Sequence, residues 1–129
     1  MSTLNVSNIT DGTDTVETGY VLNGSAKSWA TFDGTGTVGF VNSNSFNASS
    51  ATDNGTGDYT YSFTSNMARA QYPNAGNLNT GSNYANIIVQ KDEAALVGSI
   101  TFFTGYVGTT TFTKSDYDEV PMTVHGDLA

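Results

Sequence analysis

The chain has 129 residues, of which twelve are acidic and four are basic, so its formal net charge is −8 at pH 7. This charge would repel phosphate backbones and anionic lipid headgroups, so we expect neither nucleic acid nor a membrane surface as a partner. The chain has no cysteine and no apolar run near the ~18 residues of a membrane span, and its N-terminus lacks the basic and apolar pattern of a secretory signal.

The first 25 residues differ from the remainder in composition, because large apolar residues are few and Thr, Asn and Asp are frequent. Two interpretations remain open for this segment. It could be a leader strand that packs on the chain's own sheet, or an arm that docks on another subunit. We therefore divide the chain into an N-terminal arm over residues 1–25 and one folded domain over residues 26–129.

Short runs of β-branched and aromatic residues, bounded by Gly, Asn, Asp and Ser, recur along the chain. This pattern is typical of an all-β sandwich or barrel, and we predict a jelly-roll-like sandwich of antiparallel strands. The segment Val89–Leu96 is predicted to form a short helix or a charged loop, and residues 67–86 a long loop. Strands are predicted near Val16–Leu22, Ser28–Phe32, Gly36–Asn42, Ser45–Ala51, Gly57–Ser65, Tyr84–Val89, Val97–Tyr106, Thr109–Thr113 and Val120–His125.

A β-hairpin is predicted within Ser45–Met67. The dipeptide Asn54-Gly55 is a strong hairpin signal, and the run of turn-forming residues around it predicts a connection longer than two residues. In the second strand, the two-residue period places three aromatic side chains on one face. These are Tyr59, Tyr61 and Phe63.

Only 37% of the residues are hydrophobic, so we expect a thin core that gains stability from partner subunits. Trp29 and Phe46, together with the three rings of the predicted hairpin, are the expected anchors of the core and of a subunit interface. For Trp29, an exposed platform on which a sugar ring stacks is the alternative.

Catalytic chemistry has weak support in the sequence. His125 is the only histidine and is not accompanied by a nucleophile motif. Asp116, Asp118 and Glu119 could be the paired carboxylates of a glycosidase or oxygen ligands for a cation, although such spacing before a strand is more typical of a solvated turn. We predict no catalytic residue, no metal site, no cofactor and no enzymatic activity.

Two stretches, AKSWATFDGTGTVG at Ala26–Gly39 and SFNASSATDNGTGDYTYSFTSNM at Ser45–Met67, resemble a module of tail-fibre-like structural proteins from tailed bacteriophages. The resemblance covers about a third of the chain, with Ser28, Ala48 and Ala51 as its departures. It implies an all-β, usually homotrimeric domain that is exposed on the virion and associated with recognition of the host surface. It brings no catalytic residues with it.

From this resemblance we predict a non-enzymatic virion structural protein, a short trimeric tail-fibre-like or receptor-binding module on the virion surface, assembled in the host cytoplasm. A capsid-decorating protein is the alternative, and a small glycan-cleaving enzyme is a third. The predicted partners are further copies of the chain, other virion proteins and a host-surface glycan. Attachment to virion proteins is assigned to Leu4, Val6 and Ile9, and surface recognition to Tyr72, Tyr84 and Tyr106.

Overall fold

The computed structural model describes residues 2–78 and 85–129. Short strands and one short helix alternate with turns along these residues. In chain order the elements are β1 (Asn8–Thr10), β2 (Thr15–Glu17), α1 (Thr18–Gly24), β3 (Ala26–Asp33), β4 (Gly39–Phe46), β5 (Ala48–Gly55), β6 (Asp58–Phe63), β7 (Asn74–Gly76), β8 (Ala85–Leu96), β9 (Ser99–Val107), β10 (Phe112–Lys114) and β11 (Val120–His125).

Two antiparallel sheets pack face to face. The four-stranded sheet has the order β4-β3-β11-β7. In the five-stranded sheet β9 is the central strand. β8 pairs with one edge of β9, and both β6 and β10 pair with the opposite edge, one after the other along β9. β5 pairs with the free edge of β6. The predicted all-β, antiparallel sandwich is therefore confirmed, whereas its jelly-roll connectivity and trimeric assembly stay predictions.

The core lies between the sheets and is largely aromatic. Side chains alternate between buried and more exposed positions along β3, β6, β9 and β11, as the two-residue period of a strand requires. Phe32 of the four-stranded sheet meets Tyr59 of the other sheet edge to face, with ring centroids 5.2 Å apart, and Phe40 meets Tyr61 at 6.4 Å. Such ring pairs bury much apolar area per residue, so a polar chain still forms a continuous core.

The predicted strand Ser45–Ala51 is divided between the two sheets. β4 ends at Phe46 and β5 begins at Ala48, and Asn47 between them has a φ of 51°. Its side-chain amide donates to the carbonyl oxygens of Lys27 (3.0 Å) and Ser65 (3.1 Å), and its Oδ1 accepts from the Ser65 amide at 2.6 Å. Asn tolerates this left-handed conformation better than most residues, so Asn47 turns the chain from one sheet into the other.

The predicted hairpin is present, but its turn differs from the expectation. Gly55 pairs with Asp58, so the connection is the two-residue turn Thr56-Gly57 rather than a longer loop. Asn54-Gly55 instead belongs to β5, where the register shifts after Asp53. Gly55 and Gly57 have φ values of 128° and 58°, so the two glycines provide a bulge and then a turn.

Three other predicted elements were wrong. Val16–Leu22 is not a strand, because β2 ends at Glu17 and α1 follows it. Val89–Leu96 is neither helix nor loop but the second half of β8, since β9 offers its backbone as a pairing partner, with an irregularity between Gln90 and Ala95. The predicted loop over residues 67–86 contains β7, which pairs with β11.

None of the helices within the described residues has the length and apolar character needed to cross a membrane.

Candidate functional site

The N-terminal segment, residues 2–25, forms a small unit whose strands do not join either sheet of the sandwich. β1 and β2 pair only with each other, and the Thr18 amide that begins α1 donates to Ser7 O at 2.9 Å. Except for half-buried Thr18, every side chain of the segment is exposed. The alternative in which a leader strand packs on the chain's own sheet was therefore wrong.

Apolar side chains of this segment face solvent. Leu4 is 84% exposed, Tyr20 71% and Leu22 65%, and the predicted attachment residues Val6 and Ile9 are also exposed. Exposed apolar groups in a segment without a core of its own are typical of a surface that binds another protein. The segment also lacks basic residues and carries three acidic residues, Asp11, Asp14 and Glu17.

A row of side chains crosses the outer face of the four-stranded sheet. Trp29 of β3 pairs with Phe46 of β4 on one side and with Thr123 of β11 on the other, and Thr123 pairs with Ala75 of β7. Residues directly opposite each other in an antiparallel sheet share a face, and the neighbouring Ala30 belongs to the core. These four residues, which we call the outer row, therefore lie on the solvent side.

Three residues of the outer row, Trp29, Thr123 and Ala75, line a shallow hollow of about 490 Å³, and Phe46 lies beside Trp29 in the sheet. Trp29 is 39% exposed and Phe46 50% exposed, so two adjacent rings present apolar surface to solvent. Around the hollow the structure also places two threonines, a proline and an amide: Thr31, Thr123, Pro121 and Asn77. This surface can receive an apolar side chain of another subunit or the face of a sugar ring.

The five predicted anchors therefore divide into two groups. Tyr59 and Tyr61 are completely buried, and Phe63 is 6% exposed, inside the core of a single chain. Their expected share in packing between subunits was wrong, because the second sheet of the same chain already covers them. Of the five, only Trp29 and Phe46 leave surface for a partner.

The predicted recognition residues do not form one surface. Tyr72 is 8% exposed, and its hydroxyl lies 2.9 Å from Leu96 O and 2.8 Å from Ser99 O, so its predicted surface role was wrong. Burial raises the pKa of the Tyr72 hydroxyl to about 12. Tyr106 is half-buried in β9, opposite Thr113 of β10. Tyr84 lies outside the described residues.

Asp116, expected in a solvated turn, takes part in a link to the core. Its Oδ1 accepts hydrogen bonds from the Gly57 amide at 2.7 Å and from the Tyr59 hydroxyl at 2.5 Å. The Tyr59 hydroxyl also lies 2.8 Å from Gly34 O. Burial, together with the Asp116 carboxylate, raises the pKa of Tyr59 far above its ordinary value, so the hydroxyl acts as a neutral donor.

Sequence reasoning missed a charged cluster on the outer face of the five-stranded sheet. The Asp58 carboxylate lies 3.2 Å from Lys91 Nζ and 3.6 Å from Lys114 Nζ. Lys114 Nζ also stands 3.6 Å from the centroid of the Phe103 ring, a cation–π geometry. No local motif indicates this cluster, since β6, β8 and β10 meet only through their shared pairing with β9.

His125, set aside as a catalytic base, lines a second cavity together with Arg69. Among the side chains that the structure describes, no three of His, Asp or Glu are grouped so as to hold a metal ion. The comparisons with known proteins found no matching family model, no similar curated protein and no similar solved structure.

Proposed function

We propose that the chain is a non-enzymatic structural protein of a bacteriophage, assembled in the host cytoplasm and displayed on the virion surface as a homotrimer. In this proposal it acts as a short tail-fibre-like or receptor-binding module. The resemblance of residues 26–67 to tail-fibre-like proteins supports the setting. The observation that carries the proposal is the pair of exposed apolar surfaces, one on the N-terminal segment and one along the outer row.

The N-terminal segment is the proposed attachment to other virion proteins. Its apolar residues, including Leu4, Val6 and Ile9, are exposed, and its two strands pair with each other rather than with a strand of the sandwich. Its three carboxylates and its lack of basic residues favour a partner groove that is apolar inside and basic at the rim, because complementary charge directs association.

The outer row is the proposed contact between subunits. With roughly 200 Å² for each ring and exposures of 39% and 50%, Trp29 and Phe46 leave on the order of 180 Å² of aromatic surface in solvent. At about 25 cal/mol per Å², burying this surface would contribute on the order of 4 kcal/mol per subunit, as an upper bound. This is a favourable term for association, to which the rest of the subunit contact must add because association itself costs several kcal/mol.

Light scattering coupled to size exclusion tests the subunit contact. We expect the wild-type chain to be a trimer and the double variant Trp29→Ser, Phe46→Ser to be a monomer with an intact fold. Val89→Ser is the matched control, because Val89 is also 39% exposed but belongs to the other sheet, and this variant should remain trimeric. A wild-type chain that stays monomeric at high concentration would rule out the proposed assembly.

Electron microscopy of particles that incorporate the chain tests the attachment. We expect the triple variant Leu4→Ser, Val6→Ser, Ile9→Ser to be absent from particles, while Val97→Ser, which changes an exposed apolar residue outside the segment, is retained. A few copies at the tail tip would support the fibre-like module. Copies that follow the capsid lattice would indicate the capsid-decorating alternative, and absence of the wild-type chain from particles would refute both.

A further inference from the structure

A cavity of about 440 Å³ lies beside the end of β11 and contains the chain's only arginine, Arg69, and its only histidine, His125. Its size is within the range of small-molecule sites. Gln71, Asn23 and Asp127 also line it, so two amide residues and one carboxylate residue border the cavity. Residues distant in sequence thus bring a cation, a carboxylate, an imidazole and two amides to one concavity.

The cavity is held in place by the core and by the backbone. Its floor includes Met67 and Tyr72, which are 1% and 8% exposed. The His125 amide donates to Pro73 O at 3.0 Å, and the Ala68 amide donates to Asp127 O at 2.7 Å. The two walls are therefore joined by main-chain hydrogen bonds, so a ligand would meet a site that is already formed.

Arg69 differs from the three lysines in its contacts with the described residues. Two of the three lysines face Asp58, and Lys27 donates to oxygen atoms of Ser25 and Leu22. Arg69 is exposed, and it forms no side-chain hydrogen bond or ion pair with the atoms that the structure describes. A guanidinium group binds a carboxylate through two parallel hydrogen bonds, so Arg69 can hold one negatively charged group in an otherwise acidic protein.

The other groups of the cavity suit hydroxyls rather than further charge. The Asp127 carboxylate accepts hydrogen bonds from hydroxyl groups and would repel a second anionic group, while the amides of Gln71 and Asn23 both donate and accept. The Pro73 ring and the buried floor add apolar surface for the carbon face of a ring. The set fits a molecule with one carboxylate, several hydroxyls and a compact ring.

We propose that this cavity binds an acidic saccharide residue, whose carboxylate pairs with Arg69 and whose hydroxyls bond Asp127, Gln71 and Asn23. The proposal deepens the host-recognition part of the proposed function and rests on it for its biological meaning. Binding itself can be measured without the particle.

Titration of the ¹⁵N-labelled full chain with sodium glucuronate or N-acetylneuraminate, up to about 50 mM at constant ionic strength, tests the site by NMR. We expect at least one of these acidic sugars to produce saturable shifts in the amide signals of residues 69–73 and 125–127. Glucose, which lacks the carboxylate, and acetate, which lacks the hydroxyls, should produce no saturable shift over the same range. Equal binding of glucose or acetate, or no saturable shift with either acidic sugar, would overturn the proposal.

Two charge variants identify the contact. Arg69→Gln should weaken binding of the acidic sugar at least tenfold. The control Lys91→Gln changes the net charge by the same amount on the five-stranded sheet and should leave the affinity within twofold. Undiminished binding by folded Arg69→Gln protein would also overturn the site. A chain that assembles on particles but binds no acidic sugar refutes this inference alone, while one that binds the sugar but never joins particles refutes the proposed function alone.

Discussion

Replacing Tyr59 by phenylalanine removes one oxygen atom from the interior of the sandwich and leaves the ring in place. Tyr59 is completely buried, and its hydroxyl lies 2.5 Å from Asp116 Oδ1 and 2.8 Å from Gly34 O. Without the hydroxyl, the carboxylate keeps its bond from the Gly57 amide at 2.7 Å, but it loses the one proton that the hydroxyl donates to it, and no hydroxyl faces Gly34 O. We therefore expect Tyr59→Phe to fold normally and to be less stable.

The magnitude follows from the type of hydrogen bond. A bond to a charged acceptor contributes about 1.5–3 kcal/mol, so the expected loss of unfolding free energy is about 2 kcal/mol. With 129 residues and an unfolding entropy of about 2.1 cal/mol/K per residue, this loss corresponds to a decrease of about 7 °C in the thermal midpoint.

Equilibrium unfolding in urea at one fixed protein concentration measures the change, with the single tryptophan, Trp29, as the fluorescent probe. Tyr20→Phe is the control, because Tyr20 is 71% exposed and should lose less than about 0.5 kcal/mol. Asp116→Asn and the double variant complete a cycle that should give a coupling energy of at least about 1 kcal/mol. If Tyr59→Phe is as stable as the wild type, the hydrogen bonding of the Tyr59 hydroxyl contributes nothing to the stability of the fold.

Three further predictions concern the turn between β5 and β6, the charged cluster around Asp58 and the buried Tyr72. Gly57→Ala should lose at least about 2 kcal/mol in urea unfolding, because Gly57 has a φ of 58° and a Cβ there would lie 2.4 Å from Thr104 O. Gly39→Ala is the control and should be neutral, because a Cβ at Gly39 meets open space. Equal losses of unfolding free energy in the two variants would contradict this prediction. Asp58→Asn should lower the unfolding free energy by on the order of 1 kcal/mol at low salt, because two ammonium groups lose their partner. The loss should be smaller in about 1 M NaCl, since salt already screens these pairs in the wild type. A loss of stability that salt does not change would count against the ion pairs. Burial raises the pKa of Tyr72 to about 12 from about 10 in the unfolded chain, so its contribution is complete below pH 10 and is lost between about pH 10 and 12. Urea midpoints across that range should therefore fall less for Tyr72→Phe than for the wild type, and parallel declines would refute the assignment.

Local sequence pattern predicted the class of fold and the buried face of β6. Strand residues alternate between two faces whatever the partner strand is, so the rings at positions 59, 61 and 63 were correctly placed on one face. For the segment with Leu4, Val6 and Ile9, the sequence left two interpretations open, and the structure shows these side chains exposed. Ser28 is buried in the structure, where its hydroxyl lies 2.7 Å from that of buried Tyr61.

Errors arose where a local signal competed with a distant one. Val89–Leu96 contains good helix formers, yet the edge of β9 offers hydrogen bonds along its whole length, and the segment extends β8. Asn47 interrupts what reads as one continuous strand because its amide bonds two segments that are distant in sequence. Propensity is a weak prior in such places, and tertiary pairing overrides it.

The sequence by itself determined that this protein is an acidic, all-β domain with a distinct N-terminal segment, because composition and two-residue alternation act within a few neighbouring residues. Only the tertiary structure decided which aromatic rings are core and which face solvent, since that depends on whether the second sheet covers them. It also decided that Arg69 and His125 share a cavity and that Asp58 lies between two lysines. These groups come from strands and loops far apart in the chain, and only the pairing of the sheets brings them within reach of each other.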